Sequence, residues 1–245
     1  MKLLLMADGI VGNSITKWLI DNHKKDLAFV VVKEAGGYIA RQCTSAKVQC
    51  GVLRGDITTI LEPKKYDLGM LVWWPDIIPP WLIKIPKRGF INTHPSLLPH
   101  NRGKHPNFWA IVEERPFGVS LHEVEEGVDC GRIIAQKKIP FDWTDTGETL
   151  YRGAEHEMIS LFKKTYPKLR RQNPKGHKNN LSAGSYHRSP EIEAASCIDL
   201  DSPTTARELL NRLRARTFYG HPACSFSDKG STYEVITQIR RRNGR

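Results

Sequence analysis

MKLLLMADGIVGNSITKWLIDNHKKDLAFVVV, residues 1–32, sets two short apolar runs on either side of one amphipathic segment. Leu3–Met6 and Ala28–Val32 lack polar alternation, as expected of strands buried on both faces. Between them, Gly12–His23 places Ile15, Trp18 and Leu19 at i, i+3 and i+4, which is one face of a helix. Strand, helix and strand in this order predict a parallel pair joined by a right-handed crossover. Leu68–Trp73 and Gly89–Asn92 read as further buried strands. The predicted fold class is therefore α/β: a Rossmann-like, mostly parallel sheet with helices on both faces. Ligands of such sheets sit beyond the carboxyl ends of the strands. That rule puts Asp8-Gly9, Trp73-Trp74-Pro75 and His94-Pro95 on one edge.

Val119–Glu123 and Arg132–Ile139 read as two more strands flanking the turn Glu126-Gly127-Val128-Asp129. A long helix is expected from about Asp145, where Asp145 and Glu148 have capping-box spacing. Its apolar face is Leu150, Ala154, Met158, Leu161 and Tyr166. Arg171–Asn180 is polar, contains Pro and Gly, and reads as a linker. A small α+β appendage follows. Its helix, Pro203–Arg216, has Ala206, Leu209, Leu210 and Leu213 on its apolar side. Tyr219-Gly220-His221-Pro222 makes a turn, and Tyr233, Val235, Thr237 and Ile239 alternate with Glu234 and Gln238 as a half-exposed strand. The expected division is a main domain over 1–175 and the appendage over 176–245.

Apolar residues make up 40% of the 245 and charged ones 26%, the balance of a soluble globular protein. No run approaches the roughly 18 apolar residues of a membrane span. The opening apolar stretch meets Asp8 too soon for a signal peptide, so a cytoplasmic protein is expected, without membrane partners. Cys43, Cys50, Cys130, Cys197 and Cys224 are scattered and have no CxxC spacing, against both a disulfide framework and a zinc module. The net charge of +11 is concentrated in Lys163–Lys178 and Arg240–Arg242. Neither run interleaves aromatics as a nucleic-acid platform does. They read as a solvated helix end and a frayed terminus, and the charge also fits an anionic small substrate.

The chemistry concentrates in INTHPSLLPHNRG, residues 91–103. Asn92 and His94 are two apart at a strand end, so both side chains leave the same face. Pro95 ends the strand. A carboxamide and a protonated imidazole are donors able to stabilise a developing oxyanion. The carboxylate they lack locally has a candidate in Asp129. Spacing alone leaves a purely structural pair open. A metal site from His94, His100 and His105 is not expected, because prolines separate the ligands.

INTHPSLLPHNRG followed by FGVSLHEVEEGVDCGRIIAQKKIP, residues 117–140, resembles the signature of the folate-dependent formyltransferases: Asn-x-His-x-Ser-Leu-Leu-Pro, then an acidic turn ending in Asp and Gly. The resemblance is strong over roughly residues 68–165. It implies a catalytic trio of Asn92, His94 and Asp129, N10-formyltetrahydrofolate as formyl donor, a primary amine as acceptor, and no metal. It also implies that the folate pterin lies against Trp74, Asp76, Ile77, Ile78 and Pro79 and against Val124, Glu125, Glu126 and Val128. Of Trp73 and Trp74, one is expected in the core. The segment after Ser-Leu-Leu-Pro lies near the acceptor in that family. His100, Asn101, Arg102, Lys104 and His105 are thus candidate contacts to acceptor or diphosphate, with Asp8 and Gly9 on the same edge.

Among the members, methionyl-tRNA formyltransferases carry a larger C-terminal barrel than the residues after Leu181 would make. The glycinamide ribonucleotide enzymes have a Gly/Ser-rich phosphate loop where this chain reads ADGIVGNS, residues 7–14. Formyltetrahydrofolate hydrolases have an extra N-terminal domain. The segment IDLDSPTTARELLNRLRARTFYGHPACSF, residues 198–226, resembles the sugar N-formyltransferases. That resemblance implies transfer to the 3- or 4-amino group of a nucleotide-linked amino-dideoxysugar, such as a dTDP-sugar, in surface-polysaccharide synthesis. Many relatives pair through their C-terminal parts, so a homodimer is the implied assembly, and no nucleic acid is expected. A methionyl-tRNA-like, a glycinamide ribonucleotide-like or a non-catalytic RNA-binding protein remains the alternative.

Overall fold

The computed structural model describes residues 1–53, 61–172 and 175–242. β1 (Leu3–Ala7) is fully buried and runs into α1 (Gly9–His23), which returns to β2 (Leu27–Val32). The helix starts three residues before its apolar periodicity does, because Gly9 takes a left-handed φ of +62° and turns the chain directly out of the strand. Then follow α2 (Tyr38–Ser45), β3 (Cys50–Val52), β4 (Leu68–Val72), α3 (Pro80–Ile83) and β5 (Phe90–His94). β7 (Phe117–Glu123) and β8 (Ile133–Ile139) complete a seven-stranded sheet of order β3-β2-β1-β4-β5-β7-β8. The pairings from β3 across to β5 are parallel, whereas β5 and β7 are antiparallel. The α/β architecture expected from residues 1–32 is the one observed.

Two compact units divide the chain: Met1–His94, Ser120–Gln136 and Glu155–Asn179 form one, and Pro95–Val119, Lys137–Ala154 and Asn180–Arg245 the other. In the first, Leu4, Met6, Val31, Leu71, Trp74, Ile78 and Phe90 belong to a single apolar cluster. The C-terminal half of α5 (Gly147–Arg171) packs edge-on against Trp18 through Phe162 and Tyr166. Arg170, part of the basic run, keeps a side chain 44% exposed at this solvated helix end and is also ion-paired. Its Nε donates to the buried Asp26 carboxylate at 2.5 Å, and Tyr166 Oη donates to the same carboxylate at 3.0 Å.

In the second unit a two-stranded parallel pair, β6 (Arg102–Gly103) with β9 (Tyr186–His187), accompanies α4 (Pro106–Val112) and α6 (Glu191–Ser196). His187 stacks on Trp109 at 3.8 Å, with Glu113 2.8 Å from Nε2 and Glu191 3.0 Å from Nδ1. α7 (Ala206–Arg216) starts on a capping box of Thr205 and Glu208. Of the apolar side expected for α7, Leu213 is buried while Leu210 is exposed; Asn211 and Arg214 are buried instead. The reason is electrostatic. The Arg214 guanidinium lies over the Trp143 ring and donates to the carbonyls of Asp142 and Asp145, which lets a charged side chain enter the interior. β10 (Cys224–Asp228) and β11 (Ser231–Val235) form a hairpin, so the last strand stops before Thr237 and Ile239. Leu210, Tyr219, Tyr233 and Ile236 are left exposed.

Two local expectations are corrected. The cap of α5 is reciprocal between Thr146 and Thr149, not Asp145 and Glu148: each threonine backbone N–H reaches the other's hydroxyl. Glu148 instead accepts the Tyr219 N–H. Residues 173–174 of the expected linker lie outside the described residues, but 175–179 are tied down. The Gly176 carbonyl accepts from Arg132 Nε at 3.1 Å, and His177 bridges Ile133. All five cysteines are thiols, and burial pushes Cys43 up to about 12 and Cys224 to about 11. No described helix is long and apolar enough to cross a membrane.

Candidate active site

Strand alternation on β5 sends Asn92 and His94 to one face and Thr93 to the other. Thr93 locks the edge of the sheet: its hydroxyl accepts the Trp73 N–H at 3.0 Å and donates to the Leu71 carbonyl at 3.2 Å. Directly across the antiparallel pair, Asn92 faces His122 and His94 faces Ser120. Because β7 runs against β5, the turn after it begins at the far end of the strand and returns over this face. Asp129 in that turn adopts φ +50°, a left-handed conformation that Asp tolerates better than most residues. Its backbone carbonyl accepts the Asn179 Nδ2–H at 3.0 Å.

The result is a compact, desolvated group of four side chains. Asp129 Oδ2 lies 3.4 Å from His94 Nδ1, and Asp129 Oδ1 lies 3.3 Å from both Asn92 Nδ2 and His122 Nε2. Asn92 Nδ2 is 3.2 Å from His122 Nε2, and His122 Nδ1 is 2.8 Å from the Glu123 carbonyl. A carbonyl only accepts, so His122 Nδ1 carries a proton and fixes the tautomer of that ring. The side chains of His94, His122 and Asp129 are 6%, 3% and 10% exposed, so their interactions act in a low-dielectric setting. Sequence reasoning had grouped Asn92, His94 and Asp129, and the structure brings them together. It missed His122 and Asn179. His122 is found only through the β5–β7 register, and Asn179 sits in the stretch read as a linker.

Trp74 and Ile78 lie in an apolar core cluster against which the half-buried Val124 packs, so the loop after β4 and the turn after β7 meet in one apolar cluster. Of the two tryptophans, Trp74 is the buried one. Its Nε1 has no hydrogen-bond partner among the described residues, a donor placed in an otherwise apolar cluster. Asp76 pairs with Lys33 at 2.5 Å, Pro79 is half-buried, and Ile77 is exposed. Glu125 and Glu126 are exposed and Val128 is half-buried.

The candidate acceptor contacts have separate environments in the second unit. Asn101 is fully buried at φ +52°, and its N–H donates to Ser185 Oγ. Arg102 lies over the Tyr186 ring, and Lys104 is exposed. Burial, followed by the charge of Arg115, holds His100 below the usual imidazole range; burial, followed by Arg216, does the same to His105. Both imidazoles are therefore neutral near pH 7. Asp8 and Gly9 line a cavity at the ends of β1 and β2 in the first unit.

A family model described as formyl transferase matches residues 22–165, more than half of the chain and all four of the clustered side chains. The chain belongs to the formyl transferase family. A second model, described as an N-formyltransferase dimerization C-terminal domain, matches residues 191–241. A methionyl-tRNA formyltransferase of Synechococcus sp. (strain JA-3-3Ab) is 31% identical over 191 residues, 77% of this chain and 57% of that protein. The chain spans about half the length of the curated relatives it matches. Among solved structures, a 4-N formyltransferase from Francisella tularensis superposes with a TM-score of 0.82 at 24% identity, covering 98% of each chain. A formyltransferase from Anoxybacillus kamchatkensis, solved with UDP-4,6-dideoxy-4-formamido-L-AltNAc and tetrahydrofolate, gives 0.59 at 26% identity, over 79% of this chain and 89% of that one.

Proposed function

We propose that this formyl transferase moves a formyl group from N10-formyltetrahydrofolate to the 3- or 4-amino group of a nucleotide-linked amino-dideoxysugar. The observation that carries the acceptor class is the match of residues 191–241 to the N-formyltransferase C-terminal domain, together with end-to-end likeness to a 4-N formyltransferase. The folate donor is supported by the ligands of the neighbouring structures and by the apolar Trp74–Ile78–Val124 cluster that joins the loop after β4 to the turn after β7.

In the proposed mechanism the neutral amine attacks the formyl carbon. The oxyanion that forms is held by the imidazolium of His94, whose Nδ1 is turned toward Asp129, and by one N–H of Asn92. In the structure Asn92 Nδ2 is shared between His122 and Asp129, so one of these two bonds is exchanged for the oxyanion as it develops. Asp129 holds the imidazolium and helps remove the amine proton while the folate nitrogen departs. Residues 176–245, with their exposed Leu210, Tyr219, Tyr233 and Ile236, would supply a homodimer interface, and residues 1–175 the catalytic domain.

Two of the curated relatives are methionyl-tRNA formyltransferases, whose name gives a different acceptor and favours a second reading. One experiment separates the two. The protein is incubated with N10-formyltetrahydrofolate and a panel of dTDP-, UDP- and GDP-linked 3- and 4-amino sugars, with charged initiator tRNA alongside, and tetrahydrofolate release is followed. Release with at least one amino sugar supports the proposal; release with tRNA alone overturns it.

A further inference from the structure

At the carboxyl ends of β1 and β2 lies a cavity of about 540 Å³ outside the four-residue cluster. Its construction follows the glycine fingerprint of mononucleotide-binding βαβ units. Ala7, Gly9 and Gly12 occupy the G-x-G-x-x-G positions, and an acid, Glu34, follows the second strand. Two of the three small residues do what that fingerprint requires. Gly9 sits at φ +62°, leaving its backbone open beside the cavity. A Cβ on Gly12 would lie 3.1 Å from the Ala7 carbonyl carbon, a contact tight enough that α1 or β1 would have to give by a few tenths of an ångström. The first position is Ala7, still within the strand.

We infer that this cavity holds the nucleoside diphosphate half of the acceptor, and that the Glu34 carboxylate accepts hydrogen bonds from the vicinal hydroxyls of a ribose. The acceptor is then a ribonucleotide-linked sugar rather than a 2′-deoxyribonucleotide-linked one. The inference rests on the sugar-nucleotide reading and narrows it.

The walls fit such a ligand in three ways. Charged residues of both signs line the cavity, Lys33 (paired with Asp76) and Arg41 alongside Asp8 and Glu34, which suits a molecule bearing phosphates and hydroxyls better than a bare anion. Two large apolar side chains in its lining stay exposed: Ile10 at 57% and Tyr38 at 75%, the latter with the Arg41 guanidinium 4.7 Å from its ring. An aromatic face of this kind stacks a base of any sequence. The lining is also braced, because Gln42 Nε2 on α2 donates to Asn13 Oδ1 on α1 at 2.7 Å.

Position along the sheet links the cavity to the reacting group. β2, β1, β4 and β5 are consecutive neighbours, so Glu34 and His94 follow strands three spacings apart, about 14 Å. A diphosphate joining two sugar rings crosses such a gap. It would pass the ends of β1 and β4, where a Cβ on Gly9 would already lie within 3.8 Å of the Trp73 ring.

The test is calorimetric titration of the full chain, without folate, with UDP and 2′-deoxyUDP, GDP and 2′-deoxyGDP, and dTDP. For the preferred base, the ribonucleotide should bind about tenfold tighter, the worth of a hydrogen bond to a charged group. Glu34→Ala, an exposed position, should bring that ratio to within about twofold. Tyr38→Ala should weaken both members of the pair and leave their ratio unchanged. Equal binding of the ribo and deoxy forms, a ratio unchanged in Glu34→Ala, or no nucleotide binding at all would each overturn the inference. None of these outcomes depends on formyl transfer. The acceptor reading fails separately, if tetrahydrofolate is released with no amino sugar while nucleotides still bind.

Discussion

Asp129→Asn keeps the shape of the side chain and removes its charge, and the geometry fixes what that must cost. Oδ2 serves His94, while Oδ1 accepts from Asn92 with His122 Nε2 3.3 Å away. An amide can place its oxygen on only one of these sides. If it faces His94, its NH2 meets the Asn92 NH2, and one donor loses its acceptor. If it faces Asn92, the NH2 meets His94 Nδ1, and the imidazolium is no longer supported. At 3.4 Å and an effective dielectric of 20, a full imidazolium–carboxylate pair is worth about 5 kcal/mol. Only part of that charge develops in the transition state. A loss of about 10²- to 10⁴-fold in kcat follows, equivalent to roughly 3–5 kcal/mol. The assay is steady-state tetrahydrofolate release with the best amino sugar of the panel, alongside folate binding by fluorescence and thermal unfolding. Folate affinity and the melting temperature should stay near wild type. A fall in kcat smaller than tenfold would refute the role given to the carboxylate, as would a loss traced entirely to unfolding.

Gly131→Ala would push a Cβ into the Glu123 carbonyl, the acceptor of His122 Nδ1. Overpacking of this kind should destabilise the protein by about 1–3 kcal/mol, read by denaturant titration, and disturb His122. Asn179→Ala removes the bond to the Asp129 carbonyl and should lower kcat by at least about tenfold through misplacement of the carboxylate, for a stability loss of only about 1 kcal/mol. Burial pushes the Asp26 carboxyl up, but hydrogen bonds from Arg170 and Tyr166 outweigh it and hold it below its ordinary 3.8. This stabilisation is complete above pH 3.8 and is lost as the pH falls through the depressed value. Asp26→Asn should therefore cost about 1–3 kcal/mol at pH 7, and the difference from wild type should shrink in strongly acidic thermal melts.

What the chain reveals before folding follows the range of the interactions involved. β1, α1 and β2 are set by local apolar periodicity, so residues 1–32 announce the α/β class. Asn92 and His94 share a strand, and their common face needs nothing beyond alternation. His122 becomes part of the site only because β7 pairs against β5 in one particular register, a long-range fact that local pattern does not carry. Asn179 looks like linker for the same reason: its role depends on a carbonyl fifty residues earlier in the chain. The α5 cap shows a subtler limit. Asp145 and Glu148 have the right spacing, but Thr146 and Thr149 satisfy the first turn one residue later. On α7, burial of Arg214 in place of Leu210 reflects the Trp143 ring and two distant carbonyls, not helical amphipathicity.

The central claim is that a formyl group reaches the amine of a nucleotide-linked sugar through His94 and its neighbours. Single-turnover transfer of a ¹³C-labelled formyl group from N10-formyltetrahydrofolate, compared between wild type and His94→Asn, tests it most directly. The account predicts a formamide signal on the amino sugar with wild type, and a rate at least about 10²-fold lower in the variant with folate binding retained. Label appearing on methionyl-tRNA and on no sugar, or a His94→Asn rate within a few-fold of wild type, would contradict it.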